Sequence, residues 1–184
     1  MDPVRLAALR LHQRDGVTCG PTVAVVAGAL LDASYREGLL GPDRDAWFAG
    51  EQGRVHAEVN AIWPRRLGTT PAGMARALTA HSAQRGVSYW WRWFRGSGDT
   101  LSDVLRAVDG GWPVAMLLGD RLLPRHWVLL VGASGDVVQC YEPSSGRVVP
   151  VDVAAVRAGR VDGAGFRRPY AFVLPDAIEP RGLA

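Results

Sequence analysis

Residues 13–31 read QRDGVTCGPTVAVVAGALL, a polar stretch that ends in Thr18-Cys19-Gly20-Pro21 and runs into an uncharged, Ala-rich segment, Thr22 to Leu31. Pro21 suits a first helical turn, where its missing N–H removes no hydrogen bond. The apolar run behind it has the texture of a buried helix. A cysteine at the mouth of such a helix lies where unpaired backbone N–H groups favour negative charge. Since a thiol attacks as its thiolate, this setting makes Cys19 the candidate nucleophile. Gly20 removes a side chain beside the thiol, which lets a substrate backbone approach. The other cysteine, Cys140, sits in the strand-like run Val137 to Tyr141 and reads as a small buried filler.

Upstream, Leu6 to Leu11 is a short lead-in of uncertain type. Downstream, Ser34 to Ile62 suggests one or two short helices with Trp47, Phe48 and Trp63 turned inward. Thr70 is an N-cap with Pro71 behind it, opening a helix to about Ala80. Val87 to Phe94 is rich in β-branched and aromatic residues and reads as a strand. Within it, alternation sets Trp91 and Trp93 on one face and Trp90 and Arg92 on the other, with core packing expected on both faces. Leu101, Leu105 and Val108 have helical spacing, closed by Gly110-Gly111. From there the runs Pro113–Leu118, Trp127–Gly132, Val137–Tyr141, Arg147–Val151 and Tyr170–Leu174 are strands parted by turn residues. A helical N-terminal half followed by strands indicates a single α+β domain over residues 1–184, its helices packed on an antiparallel sheet.

A nucleophilic thiol needs a base. Of four histidines, His126 is the best placed, because it precedes the apolar run Trp127 to Val131 and so has its backbone held at a strand start, at the sheet edge. Glu142, on the following strand, is a carboxylate able to orient the imidazole from its other nitrogen. The Cys19 N–H and a side-chain N–H of Gln13 are donors for an oxyanion. His12 has no role assigned by position, and His56 and His81, in helical surroundings, are expected to be solvated. Asp120 and Asp136 are spare carboxylates in turns.

Composition narrows the partners. An apolar share of 48% and a charged share of 21% belong to a folded chain, and 184 residues suffice for one core. The net charge of +3 rests on arginine alone, for the sequence contains no lysine. Pairs such as Arg65-Arg66 and Arg167-Arg168 are scattered, so no basic stripe points to nucleic acid. No apolar run reaches the roughly 18 residues of a membrane span. Arginines at 5, 10 and 14 interrupt any signal-like stretch, which gives a cytoplasmic expectation with delivery by a route lacking a cleaved signal left open. Neither a phosphate loop nor a metal-ligand spacing is present, so no cofactor is expected. Oligomeric state is not legible.

Taken together, Gln13-x5-Cys19-Gly20-Pro21, His126-Trp127-Val128-Leu129-Leu130-Val131-Gly132 and Tyr141-Glu142-Pro143 resemble the C39-like branch of papain-fold cysteine peptidases. That branch includes bacteriocin-leader peptidase domains of ABC exporters and stand-alone bacterial proteins. Gly68-Thr69-Thr70-Pro71 and Gly111-Trp112-Pro113-Val114 are similar to its layout as well. The resemblance implies a papain-like fold and a cysteine peptidase or amide hydrolase acting on a peptide or protein. In it Cys19 is the nucleophile, His126 the base, Glu142 the orienting acid and Gln13 the oxyanion glutamine. The chain departs from the branch at Glu142, where aspartate is usual. Two other readings stand beside it: acyl transfer to an amine through the same thioester, and a non-catalytic papain-fold module that binds a peptide or protein.

Overall fold

Start and stop signals account for most of the helices. The computed structural model describes residues 1–59 and 68–176. Asp2 accepts from the Arg5 N–H and opens α1, Pro3–Leu9, so the uncertain lead-in is a helix that ends at left-handed Arg10. Helix α2, Cys19–Leu31, has twelve of its thirteen residues buried, as expected of a helix apolar on every side. Asp32 caps α3, Ala33–Leu40, through the N–H groups of Ser34 and Tyr35. Helix α4, Arg44–Val59, is longer than the short helices the sequence suggests. It buries Phe48, while Trp47 is half-buried against the core and Trp63 lies outside the described residues. Thr70 caps α5, Pro71–Ser82, by accepting from the Gly73 N–H at 3.1 Å.

Six strands follow: β1 Tyr89–Trp93, β2 Val114–Gly119, β3 Pro124–Ser134, β4 Val137–Glu142, β5 Arg147–Asp152 and β6 Arg168–Pro175. Helix α6, Ser102–Asp109, links β1 to β2, and α7, Val153–Arg157, which the sequence did not signal, follows β5. The sheet order is β1-β6-β2-β3-β4-β5 with every pairing antiparallel. This is the expected α+β class, but β6 returns from the end of the chain to lie between β1 and β2. His126 is the third residue of β3, near one end of an interior strand rather than at the sheet edge.

Helix α2 packs against α3, α4, α5 and β3 and is the centre of the helical layer. Two expectations about aromatic and glycine residues are overturned here. On β1 the buried members are Tyr89 and Arg92, one on each face, while Trp90 and Trp93 are 43% and 57% exposed, so two of the three tryptophans are not core. Arg92 is buried because two carboxylates meet it: Asp99 at 2.7 Å and Asp103 at 2.6 Å. Gly20, for its part, does not open a path for substrate. A Cβ there would collide with the Thr69 side chain, 2.6 Å from its Cβ, and sit 3.2 Å from Trp127 Cδ1. Its small size serves close packing of α2 on β3 and on the loop before α5.

Gly20→Ala therefore tests that packing with a clear sign. Alanine normally favours a helix by roughly 0.5–1 kcal/mol over glycine. Here overpacking by about 1–3 kcal/mol should outweigh it, so urea unfolding should show a lower midpoint with an unchanged slope. A higher midpoint would mean that Thr69 and Trp127 give way freely.

Candidate active site

The contact at Gly20 also decides where the candidate site residues lie. Trp127 is buried and donates its indole N–H to the Thr69 carbonyl at 2.8 Å, which ties β3 to the loop before α5. Gly20 rests on both residues. Its chain neighbour Cys19 is thereby brought to Trp127's neighbour His126. Cys19, His126 and Glu142 are each only 5% exposed, so little water competes for their polar atoms.

Strand register brings Glu142 to the imidazole. Leu130 pairs with Cys140 and Leu129 with Tyr141. By the two-residue alternation of a strand, His126 and Glu142 then share a face as diagonal neighbours. The extra methylene of glutamate spans that diagonal. His126 Nε2 lies 2.9 Å from Glu142 Oε1. The carboxylate is itself fixed by the turn after β4: Ser144 N–H donates to Oε1 and Ser145 N–H to Oε2, each at 2.8 Å. An ionised carboxylate only accepts, so Nε2 carries a proton toward it and Nδ1 is the nitrogen left for the thiol.

The charges agree with this geometry. Burial pulls the His126 pKa down, but the hydrogen bonds and charges of Cys19 and Glu142 more than offset it and raise it to about 9. For Glu142 burial works upward, yet the His126 bond and the Ser144 and Ser145 donors bring it down to about 2. Cys140 is fully buried, and burial together with the charge of Glu142 pushes its thiol up, which keeps it protonated. It is the small buried filler that its strand context suggests.

Gln13 is held at the same end of the sheet. Its backbone N–H donates to the Pro143 carbonyl at 2.9 Å, and its Oε1 accepts from Ser144 Oγ at 3.4 Å. One side-chain N–H is directed at the Asp15 carbonyl at 2.7 Å. An amide nitrogen has two hydrogens, so one donor remains. Thr18 makes no side-chain cap on α2 and pairs instead with the Asp15 backbone.

Several supporting residues escape the sequence reading. Gln52 of α4 is buried, and its Oε1 accepts from Arg14 N–H and Thr22 Oγ1, each at 3.0 Å, while Nε2 donates to the His12 carbonyl at 3.2 Å. It thus grips the chain on both sides of Gln13 and joins it to α2. Its signal in the sequence is a glutamine on the apolar stripe Phe48, Gln52, Val55, Val59, where a buried amide requires partners. Tyr141 adds a bond from its hydroxyl to the Leu11 carbonyl at 2.8 Å. His12 itself stays outside, with Nδ1 only 3.5 Å from the Ser144 carbonyl. The solvated reading of the two helical histidines is corrected. His56 is buried, and His81 packs on Tyr35 with ring centroids 4.1 Å apart, its Nδ1 3.9 Å from Asp32. Asp120 holds the β2–β3 turn, accepting from Leu122 and Leu123 N–H and pairing with Arg125 at 2.7 Å. Among the described residues no group of three His, Cys, Asp or Glu could hold a metal ion, and no helix is long and apolar enough to cross a membrane.

No protein-family model and no curated protein matches the chain. Solved structures do. The likeness is to peptidase domains of ABC transporters. One is a double-glycine-motif protease from an AMS/PCAT transporter in complex with the leader peptide: 13% identity, TM-score 0.48, covering 90% of this chain and 89% of that one. Another is the peptidase domain of Streptococcus ComA, a bifunctional ABC transporter of a quorum-sensing pathway: 14% identity, TM-score 0.45, covering 90% and 96%. These domains bear the likeness that the sequence motifs suggest. At such scores it carries no residue role across, and the chemistry rests on the distances above.

The pair His126–Glu142 should mark the pH dependence of stability. His126 is raised from 6.5 to about 9, so its contribution is full below pH 6.5 and is lost as pH rises through about 9. Glu142 is lowered from 4.5 to about 2, so its contribution is full above pH 4.5 and is lost as pH falls through about 2. The stability gap between wild type and Glu142→Gln should be widest between pH 4.5 and 6.5 and shrink on either side, as read by denaturant unfolding. In Cys19→Ala the NMR midpoint of His126 should fall below about 9, because Cys19 supplies part of the upward shift.

Proposed function

We propose that this chain is a cysteine peptidase or amide hydrolase that acts through a Cys19 thioester on a peptide or protein substrate. The observation that carries this reading is the His126 side chain, bonded at Nε2 to a turn-locked Glu142 and also hydrogen-bonded to Cys19. A buried histidine–carboxylate pair that serves structure alone has no reason to face a cysteine at the N-terminus of a helix. The raised His126 favours imidazolium, the form that can give a proton to a leaving amine.

In this reading the thiolate adds to the scissile carbonyl carbon, and the carbonyl electron pair moves to oxygen. The Cys19 N–H at the start of α2 and the second N–H of Gln13 stabilise that oxyanion. Removing one such donor typically lowers kcat by about 10²–10³. As the oxyanion collapses, the C–N bond breaks and His126 Nδ1 gives its proton to the leaving amine. Neutral His126 next takes a proton from water, whose oxygen attacks the thioester. Collapse of the second tetrahedral adduct releases the carboxylic acid and restores thiolate and imidazolium. Glu142 keeps the tautomer with its proton on Nε2 throughout.

Near neutral pH, iodoacetamide should modify Cys19 far faster than Cys140. Cys19→Ala should abolish turnover of a fluorogenic peptide library and leave the fold intact. Glu142→Gln should lose less activity than Cys19→Ala or His126→Ala, since an orienting group contributes less than groups that react. Gln13→Ala should lower kcat more than it raises KM. First reaction at Cys140, or turnover by Cys19→Ala, sinks the assignment. Adding an amine acceptor reads the product: an acid only means hydrolysis, and a new amide means acyl transfer.

A further inference from the structure

The segment between α7 and β6 returns to the imidazole. Gly165 adopts a φ of +83°, and a Cβ built on it would lie 3.2 Å from His126 Cδ2 and 3.4 Å from Nε2. Its backbone therefore rests on the ring edge whose nitrogen bonds Glu142. Phe166 comes next, half-buried, its ring centroid 5.9 Å from that of His126 and tilted by 42°. Local geometry holds the segment in this place. Val161 and Ala164 are buried, and Val161 N–H donates to the Arg167 carbonyl at 2.9 Å. Gly159, Gly163 and Gly165 all have positive φ, which lets the chain turn sharply enough to reach the ring.

We propose that Gly165 and Phe166 are positioning residues for His126: they wall the Nε2 edge of the imidazole, fix its plane and keep water from the bond to Glu142. The polar groups around the ring leave this role to them. Cys19 from α2 and Glu142 from β4 are the titratable groups that act on His126. On β2 the residue opposite His126 is Leu118, and its β6 partner is Pro169, both uncharged. The charged members of the segment itself face solvent: Asp162 and Arg167 pair at 3.1 Å with exposed side chains, and Arg160 is exposed. A water at the Nε2 edge would compete for the proton and raise the local dielectric, weakening the attraction that keeps the ring charged. Gly165 has no substitute on this account. An L-residue is strained at that φ, and its Cβ would push on the ring.

The wall rests on the proposed role of His126 only for its catalytic consequence, and its test separates the two. The readout is the low-field NMR resonance of the His126 Nε2 proton, which persists only where exchange with water is slow. Wild type should show it, Phe166→Ala should lose it to exchange, and Phe166→Leu should keep it. The rate of Cys19 alkylation at pH 6 should fall by about tenfold in Phe166→Ala, within the range seen when a ligand-orienting neighbour is removed, and return in Phe166→Leu. Gly165→Ala, which retains the phenyl ring but crowds the imidazole, should shift or abolish the resonance and decides the matter if Phe166→Ala does not fold. A resonance absent from wild type, or unchanged in both Phe166→Ala and Gly165→Ala, overturns the wall. A resonance that behaves as expected in a protein whose Cys19 shows no preferential alkylation upholds the wall and overturns the peptidase reading instead.

Discussion

Everything at the candidate site depends on one close approach, that of Gly20 to Trp127 and Thr69. A helix can meet a strand this closely only where one partner lacks a side chain, and α2 offers a glycine in its first turn. The indole hydrogen bond to the Thr69 carbonyl fixes the third party to the contact, and Thr70 then caps α5. Because Cys19 and His126 are the chain neighbours of Gly20 and Trp127, a packing contact between apolar groups sets the position of a polar pair. The hydrophobic effect brings α2 onto the sheet, and steric fit decides which residues meet there.

Among the described residues two clusters of buried charge stand in contrast. Arg92 lies between Asp99 and Asp103 with bonds to both, over the ring of Phe172 at 5.1 Å. Guanidinium cannot release its proton in a protein, so this cluster ties β1 to α6 and its preceding loop and does no proton chemistry. His126 and Glu142 are buried to a similar degree, but imidazole can lose and regain a proton near neutrality. The Glu142 carboxylate is satisfied by two backbone donors besides His126, which keeps it ionised. The segment that carries Gln13, meanwhile, is anchored from three sides, by Gln52 at His12 and Arg14, by Pro143 at Gln13 and by Tyr141 at Leu11, although no strand or helix contains it. Such a loop is already ordered, so its side-chain donor needs no further loss of entropy to be held in place.

Most local structure was legible because local rules govern it. Pro21, Thr70 with Pro71, and Gly110-Gly111 mark helix ends by what their backbones can and cannot do. Alternation and β-branching announced the strands. The same rules missed α1, a short helix carried by an Asp2 cap and a Pro, and α7, five residues started by Asp152. They also misjudged β1, because four aromatic residues in five look like core whether or not anything covers them. At the site, Cys19, His126, Glu142 and Gln13 could be singled out by residue type, order and spacing. Gln52, Gly165 and Phe166 could not, for each matters through a neighbour distant along the chain.

The sequence by itself determined the element types, the α+β class, the cysteine that lies at a helix N-terminus and the strands that carry the histidine and the glutamate. Those follow from backbone preferences and periodicity, which are properties of short windows. Only the tertiary structure decided that β6 pairs between β1 and β2, that Gly20 serves packing rather than substrate access, and that glutamate reaches the imidazole on the strand diagonal. Each of these is a distance between residues far apart in the chain, and such distances are set by how whole layers pack, which no local window contains.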